Sequence, residues 1–127
     1  MLFDTDVLIW ALRGSLKAAR EINEDSNRFI SAVSYMELMQ GARNKKEQTL
    51  IKRFLSQLGF IVLPITEAVS HRATIFIEEN ALKSGMQLAD ALVFATACEN
   101  SLTLCSANKK HFDGLDSLDA KVFVPDN

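Results

Sequence analysis

Cysteine is scarce: Cys98 and Cys105 are the only two in 127 residues. They could make one disulfide at most, neither belongs to a CxxC pair, and no disulfide framework is available. Free, mostly buried thiols are expected. Long apolar runs are also missing, because charged residues break every run well short of the ~20 residues that span a bilayer. No transmembrane helix and no membrane partner are expected. The chain start lacks the basic stretch of a secretory leader, since Asp4 and Asp6 fall there and no small-residue cleavage pattern follows. A cytoplasmic location is the expectation. Nor is there an excess of basic charge, the formal net charge being −2. Nucleic-acid binding, if any, must use local patches or metal ions.

What is present is an ordinary globular composition, 48% hydrophobic and 24% charged. The length suits one domain over residues 1–127. Leu2 and Phe3 read as a short buried strand, followed by a helix from Val7 to Leu12. Gly14 and Ser15 separate it from a second helix that runs to about Glu24. Arg28 to Ala32 has strand character, and Val33 to Ala42 switches to helical spacing. Gln48 to Leu58 is amphipathic, with Leu50, Ile51, Phe54, Leu55 and Leu58 on one stripe. Phe60 to Leu63 gives a third strand. Thr66 caps a long helix from Glu67 to about Lys83, closed by Gly85. A helix through Glu99 then opens at Met86 or Gln87, apolar nearly all round, with Leu88, Ala91, Leu92 and Ala95 on one stripe. Leu102 to Cys105 and Lys121 to Val124 complete the strands, with a loop or short helix from Ser106 to His111 between them. Such alternation predicts an α/β fold: a short central parallel sheet of about five strands, helices on both faces. Ligands of such sheets bind beyond the carboxyl ends of the strands.

Asp4 follows the first strand, Glu37 lies one turn into the helix after the second, and Asn108 follows the fourth. Each acid has a plain structural explanation. Asp4 or Thr5 can cap the first helix, and Ser34 and Glu37 have the spacing of a capping box. Backbone N–H groups of a first turn can satisfy Asp90. Asp90 nevertheless shares a face with Val93, Phe94 and Ala97, where a carboxylate needs a cation or several donors. Three carboxylates from separate segments converging at ~5 Å repel by about 3 kcal/mol per pair at an effective dielectric near 20. A cation stabilises that arrangement. A donor set of hard oxygens suits Mg²⁺ or Mn²⁺ better than Zn²⁺ or Cu²⁺. Metal-dependent hydrolysis of a phosphodiester is the reaction class this predicts.

These acids lie in stretches that carry a resemblance. Asp4-Thr5-Asp6-Val7-Leu8-Ile9, Ser34-Tyr35-Met36-Glu37-Leu38 with Gly41, Leu88-Ala89-Asp90-Ala91-Leu92, and Leu104-Cys105-Ser106-Ala107-Asn108 with His111-Phe112 resemble the PIN-domain signatures, in order and at family spacing. The compact length is similar to that of VapC-type toxins. The resemblance implies a PIN-like fold and a Mg²⁺- or Mn²⁺-dependent endoribonuclease acting on RNA. It also implies a homodimer and a small antitoxin partner whose C-terminal segment crosses the active-site groove. Asp4, Glu37 and Asp90 match the metal-binding acids. Asn108 or His111 stands where many members have a fourth acid, and Asn108 could hold a metal-bound water. Thr5 and Ser106 match the hydroxyl positions, and Asp6 is a supporting residue of the crevice or a helix N-terminal charge.

Two other readings fit parts of the chain. Asp4-Thr5-Asp6-Val7 also suits a haloacid-dehalogenase-like phosphohydrolase, with Asp4 as nucleophile and Asp6 as general acid/base. No paired aspartates follow a later strand, however, and Glu37 and Asp90 would have no role. A non-catalytic module that kept the fold and lost one metal ligand is the other. His111 could act as a general base, although a lone histidine is more often structural, and His71 lies in mid-helix. Trp10, Ile9, Leu38 and Met39 suit either core packing or an apolar groove wall. The basic clusters at Arg43, Lys45 and Lys46, at Lys52 and Arg53, and at Lys109 and Lys110 read as solvated faces.

Overall fold

A computed structural model describes residues 1–125. The domain expected over residues 1–127 includes 126 and 127, which lie outside the described residues. Five short parallel strands form one sheet in the order β3-β2-β1-β4-β5. They are β1 (Leu2–Phe3), β2 (Phe29–Ser31), β3 (Ile61–Leu63), β4 (Leu104–Ser106) and β5 (Ala120–Val122). The chain runs outward from β1 to β2 and β3 on one side, then crosses back to β4 and β5 on the other. β1 is thus the central strand, and a crevice opens where the order reverses, beyond the carboxyl ends of β1 and β4.

The two residues of β1 show how the sheet is buried. Successive side chains of a strand point to opposite faces. Leu2 joins a cluster with Val69, Phe76, Phe94 and Leu104, whereas Phe3 joins Val7, Leu8, Ile22, Ile30 and Cys105. Both β1 side chains have no solvent exposure. Each contributes roughly 1.5–3 kcal/mol of burial.

Helices α1 (Thr5–Leu12), α2 (Leu16–Glu24) and α4 (Lys45–Gln57) cover the Phe3 face. Helices α5 (Glu67–Ser84) and α6 (Leu88–Glu99) cover the Leu2 face. α3 (Ala32–Gly41) reaches both clusters, through Val33 and Leu38. α7 (Lys109–Phe112) is a single turn after β4. Thr66 caps α5 as expected, and Gly85 ends it in the left-handed conformation at φ 74°.

The structure corrects several local expectations. α4 begins at Lys45 rather than Gln48, because the Asn44 side chain caps it by accepting from Glu47 N. Leu50 stands 50% exposed instead of joining the buried stripe, and Leu88 is 71% exposed at the open first turn of α6. β2 ends at Ser31 and α3 starts at Ala32, one residue earlier than the spacing suggested. β4 is shifted to Leu104–Ser106 and β5 to Ala120–Val122. Both cysteines are free, Cys105 buried and Cys98 partly so. Among the described residues no helix is long and apolar enough to cross a membrane.

Candidate metal-binding active site

β1 ends where the backbone must turn into α1, and Asp4 occupies that junction. Its Oδ1 accepts from Thr5 N at 2.8 Å, so the capping role is real. Its Oδ2 meanwhile accepts from the Ser106 hydroxyl at 2.7 Å, at the end of the neighbouring strand. Ser106 Oγ also accepts from Asn108 N at 3.0 Å, which bends the chain after β4 toward the crevice. Asp4 is only 8% exposed and Ser106 is fully buried. Burial, reinforced by the neighbouring Asp6 and Asp90 charges, raises the Asp4 carboxyl to about 7, against the lowering effect of the Ser106 and Thr5 hydrogen bonds.

Glu37 does not make the expected capping box with Ser34. Ser31, the last residue of β2, is the N-cap of α3 and accepts from Ser34 N at 3.1 Å. Glu37 is thereby free to reach across to α1, where its Oε1 accepts from the Thr5 hydroxyl at 2.7 Å. Thr5 thus touches two of the acids, one through its amide and one through its hydroxyl.

Asp90 has the N-terminal role that its position allowed: its Oδ2 accepts from Gln87 N at 3.1 Å. That bond is one of several. Asn108 Nδ2 donates to Oδ1 at 3.0 Å, and His111 Nδ1 lies 2.8 Å from Oδ2. Asp6 faces the same crevice, with Oδ1 accepting from Val7 N at 2.7 Å and Oδ2 from Ala107 N at 3.0 Å. Burial raises its pKa above the ordinary carboxyl value, opposed by those backbone donors.

These side chains share one cavity of about 450 Å³, lined by Asp4, Thr5, Asp6, Glu37, Asp90 and Asn108 with Ile9, Ala89, Val93 and Ala107. Six of the seven expected site residues line it, and Ser106 lies beneath, bonded to Asp4. Among the described residues, four carboxylates and no Lys or Arg line the cavity. Sequence reasoning missed the grip of His111 on Asp90, since a single turn after a strand has no periodicity to reveal which way it faces. His71 is exposed on α5 and is not part of this lining. Trp10 packs against the Phe3-side cluster, whereas Ile9 and Leu38 both pack there and line a second groove.

Among the described residues no three Asp, Glu, His or Cys side chains form a ready cage for an ion. Mg²⁺ does not require one, because it usually keeps several waters and takes one or two protein carboxylates. The donor chemistry fits such an ion: carboxylate oxygens, a net negative lining, and the buried Asp4 carboxylate whose charge burial disfavours.

The chain matches the PIN domain model over residues 1–118, and it belongs to that family. The family assignment displaces the haloacid-dehalogenase-like reading, and Asp6 has both oxygens engaged by backbone N–H groups. Comparison with curated protein sequences gave no match. Among solved structures, the chain is similar to a toxin–antitoxin complex from Klebsiella pneumoniae at 28% identity and TM-score 0.78, covering 92% of this chain and 93% of that one. It is also similar to FitAcB from Neisseria gonorrhoeae, at 25% identity and TM-score 0.74, covering 94% of each chain. A DNA-bound VapBC from Salmonella typhimurium shares the fold with TM-score 0.82 at 19% identity, covering 95% of this chain and 96% of that one.

Proposed function

We propose that this PIN domain, residues 1–127, is a Mg²⁺- or Mn²⁺-dependent endoribonuclease and the toxin of a toxin–antitoxin pair. The observation that carries the reading is the cavity, lined among the described residues by four carboxylates and no basic side chain. Membership of the PIN family and likeness to toxin–antitoxin complexes support it.

In this reading Asp4, Glu37 and Asp90 would hold the metal. A bound divalent cation offsets the charge of a scissile phosphate and acidifies water. The remaining steps belong to the side chains. Ser106 and the Thr5 amide aim the Asp4 carboxylate, and the Thr5 hydroxyl holds Glu37. Asp6 pins Ala107, fixing the loop that presents Asn108 to the cavity. Asn108 orients water or phosphate with its amide. Lys109 and Lys110, exposed just beyond it, offer cations to flanking RNA phosphates.

The antitoxin has a matching surface. A groove of about 350 Å³ lined by Ile9, Leu12, Leu38, Leu50 and Ile51 adjoins the cavity, Ile9 and Glu37 lining both. A short amphipathic segment lying there would cover exposed Leu12 and Leu50 and close the site. A homodimer and a cytoplasmic location belong to the same reading through the family likeness.

The test is expression in a bacterial host. Induction of the wild-type chain arrests growth and leaves cut RNA, whereas Asp90→Asn at equal soluble level does neither. Growth and intact RNA with both would favour the non-catalytic module.

A further inference from the structure

We infer that His111 is a positioning residue: its Nδ1 locks the plane of the Asp90 carboxylate for the cation and for RNA cleavage. The inference rests on the nuclease reading above. Phe112 is 7% exposed and meets Phe94 edge-to-face, with ring centroids 6.2 Å apart at 89°. Phe94 is one turn beyond Asp90 on α6, so this aromatic contact docks the single turn of α7 against the start of α6. The residue beside Phe112 is then delivered onto the carboxylate.

Once docked, α7 grips both oxygens of Asp90. His111 Nδ1 lies 2.8 Å from Oδ2, and Asn108 Nδ2 donates to Oδ1 at 3.0 Å. The two gripping groups lie 3.2 Å apart, and His111 N donates to Asn108 O at 3.0 Å, so they move as one unit. Gln87 N adds a donor to Oδ2 from the α6 side. A carboxylate held at both oxygens cannot spin about its last bond, yet Oδ1, which accepts from a single donor, keeps a lone pair. Partners of this kind orient a ligand before the metal arrives, and removing one typically costs 10–100-fold in affinity or activity. His111 therefore acts through Asp90, with no proton transfer to RNA required of it.

The geometry makes an asymmetric prediction for amide substitutions. The side-chain nitrogen of His111→Asn falls near the Nδ1 position, whereas that of His111→Gln reaches toward Nε2. Mn²⁺ affinity is measured from the paramagnetic resonance of free Mn²⁺ during titration, alongside thermal melting and RNA cleavage for each variant. His111→Ala is expected to weaken Mn²⁺ binding about 10–100-fold. His111→Asn should restore most of that loss and His111→Gln should not. Unchanged binding in His111→Ala, or equal behaviour of the two amide variants, would overturn the positioning role while leaving the nuclease reading intact. If the alanine variant does not fold, the amide pair still decides. A wild-type protein that neither binds Mn²⁺ nor cuts RNA would remove the nuclease reading and this role with it.

Discussion

Ser106 donates its hydroxyl proton to Asp4 Oδ2 at 2.7 Å, joining residues 102 positions apart in the chain. The bond exists because β1 and β4 are parallel neighbours, with Phe3 paired to Cys105, so both strands end side by side. The hydroxyl also accepts from Asn108 N, so one buried atom sets both the carboxylate and the loop after β4. Ser106→Ala should destabilise the protein by about 1–3 kcal/mol, because it leaves a buried amide and carboxylate each short of a partner. Urea denaturation measures it. A change below a few tenths of a kcal/mol would mean that water replaces the hydroxyl freely.

Asp4 gives the fold a pH dependence whose sign can be worked out. Its carboxyl is raised from an ordinary 3.8 to about 7 in the folded chain. Between those values the folded state keeps a proton that the unfolded state has lost, so this group's contribution falls as pH rises and levels off above 7. The upper bound on the fall is on the order of 4 kcal/mol. In EDTA, the wild type should lose stability between pH 5 and pH 8 relative to Asp4→Asn, and Mn²⁺ should reverse the loss at pH 8. Parallel stability curves for the two proteins would show that Asp4 ionises normally.

Thr5 offers a cleaner separation of stability from activity. Its hydroxyl bond to Glu37 lies on the open side of the crevice. Thr5→Val keeps the shape and the amide bond to Asp4 but releases Glu37. Net hydrogen-bond contributions predict a stability change of about 1 kcal/mol or less. Cleavage should fall roughly 10–100-fold, as expected when a group orienting a metal ligand is removed. Full activity at unchanged Mn²⁺ requirement would show that Glu37 needs no such restraint.

Asp6 tests the loop. Its Oδ2 accepts from Ala107 N, the residue immediately before the gripping Asn108. Asp6→Ala should raise hydrogen exchange at the Ala107 amide by about tenfold or more, the loss of a bond worth ~1.4 kcal/mol or more. Unchanged protection would assign Asp6 to α1 capping alone, through its bond to Val7 N.

The sequence revealed the architecture because its signals were local. Leu2-Phe3 running into Asp4, Thr66 and Gly85 around a long helix, and the apolar length of α6 each announce an element without reference to the rest. The same locality misled at Glu37. Ser34 and Glu37 have the right spacing for a capping box, but Ser31 wins the N-cap because β2 ends there, a matter of strand pairing with β1 and β3. Leu88 likewise fits the periodicity of α6, yet the chain leaves its side exposed. Asp4, Glu37 and Asp90 could be singled out as acids at strand ends and on an apolar helix. Who holds each of them could not, since Thr5 with Glu37 and His111 with Asp90 are pairings across the crevice. Where His111 points depends on the packing of Phe112 on Phe94, a contact between distant segments.

The most direct measurement is cleavage of a mixed cellular RNA pool by purified, antitoxin-free protein in Mg²⁺, in Mn²⁺ and in EDTA, beside Asp90→Asn. Discrete cuts are expected with either metal, and none in EDTA or with the variant. Cutting that persists in EDTA, or that Asp90→Asn retains in full, would contradict a carboxylate-held metal as the centre of this site.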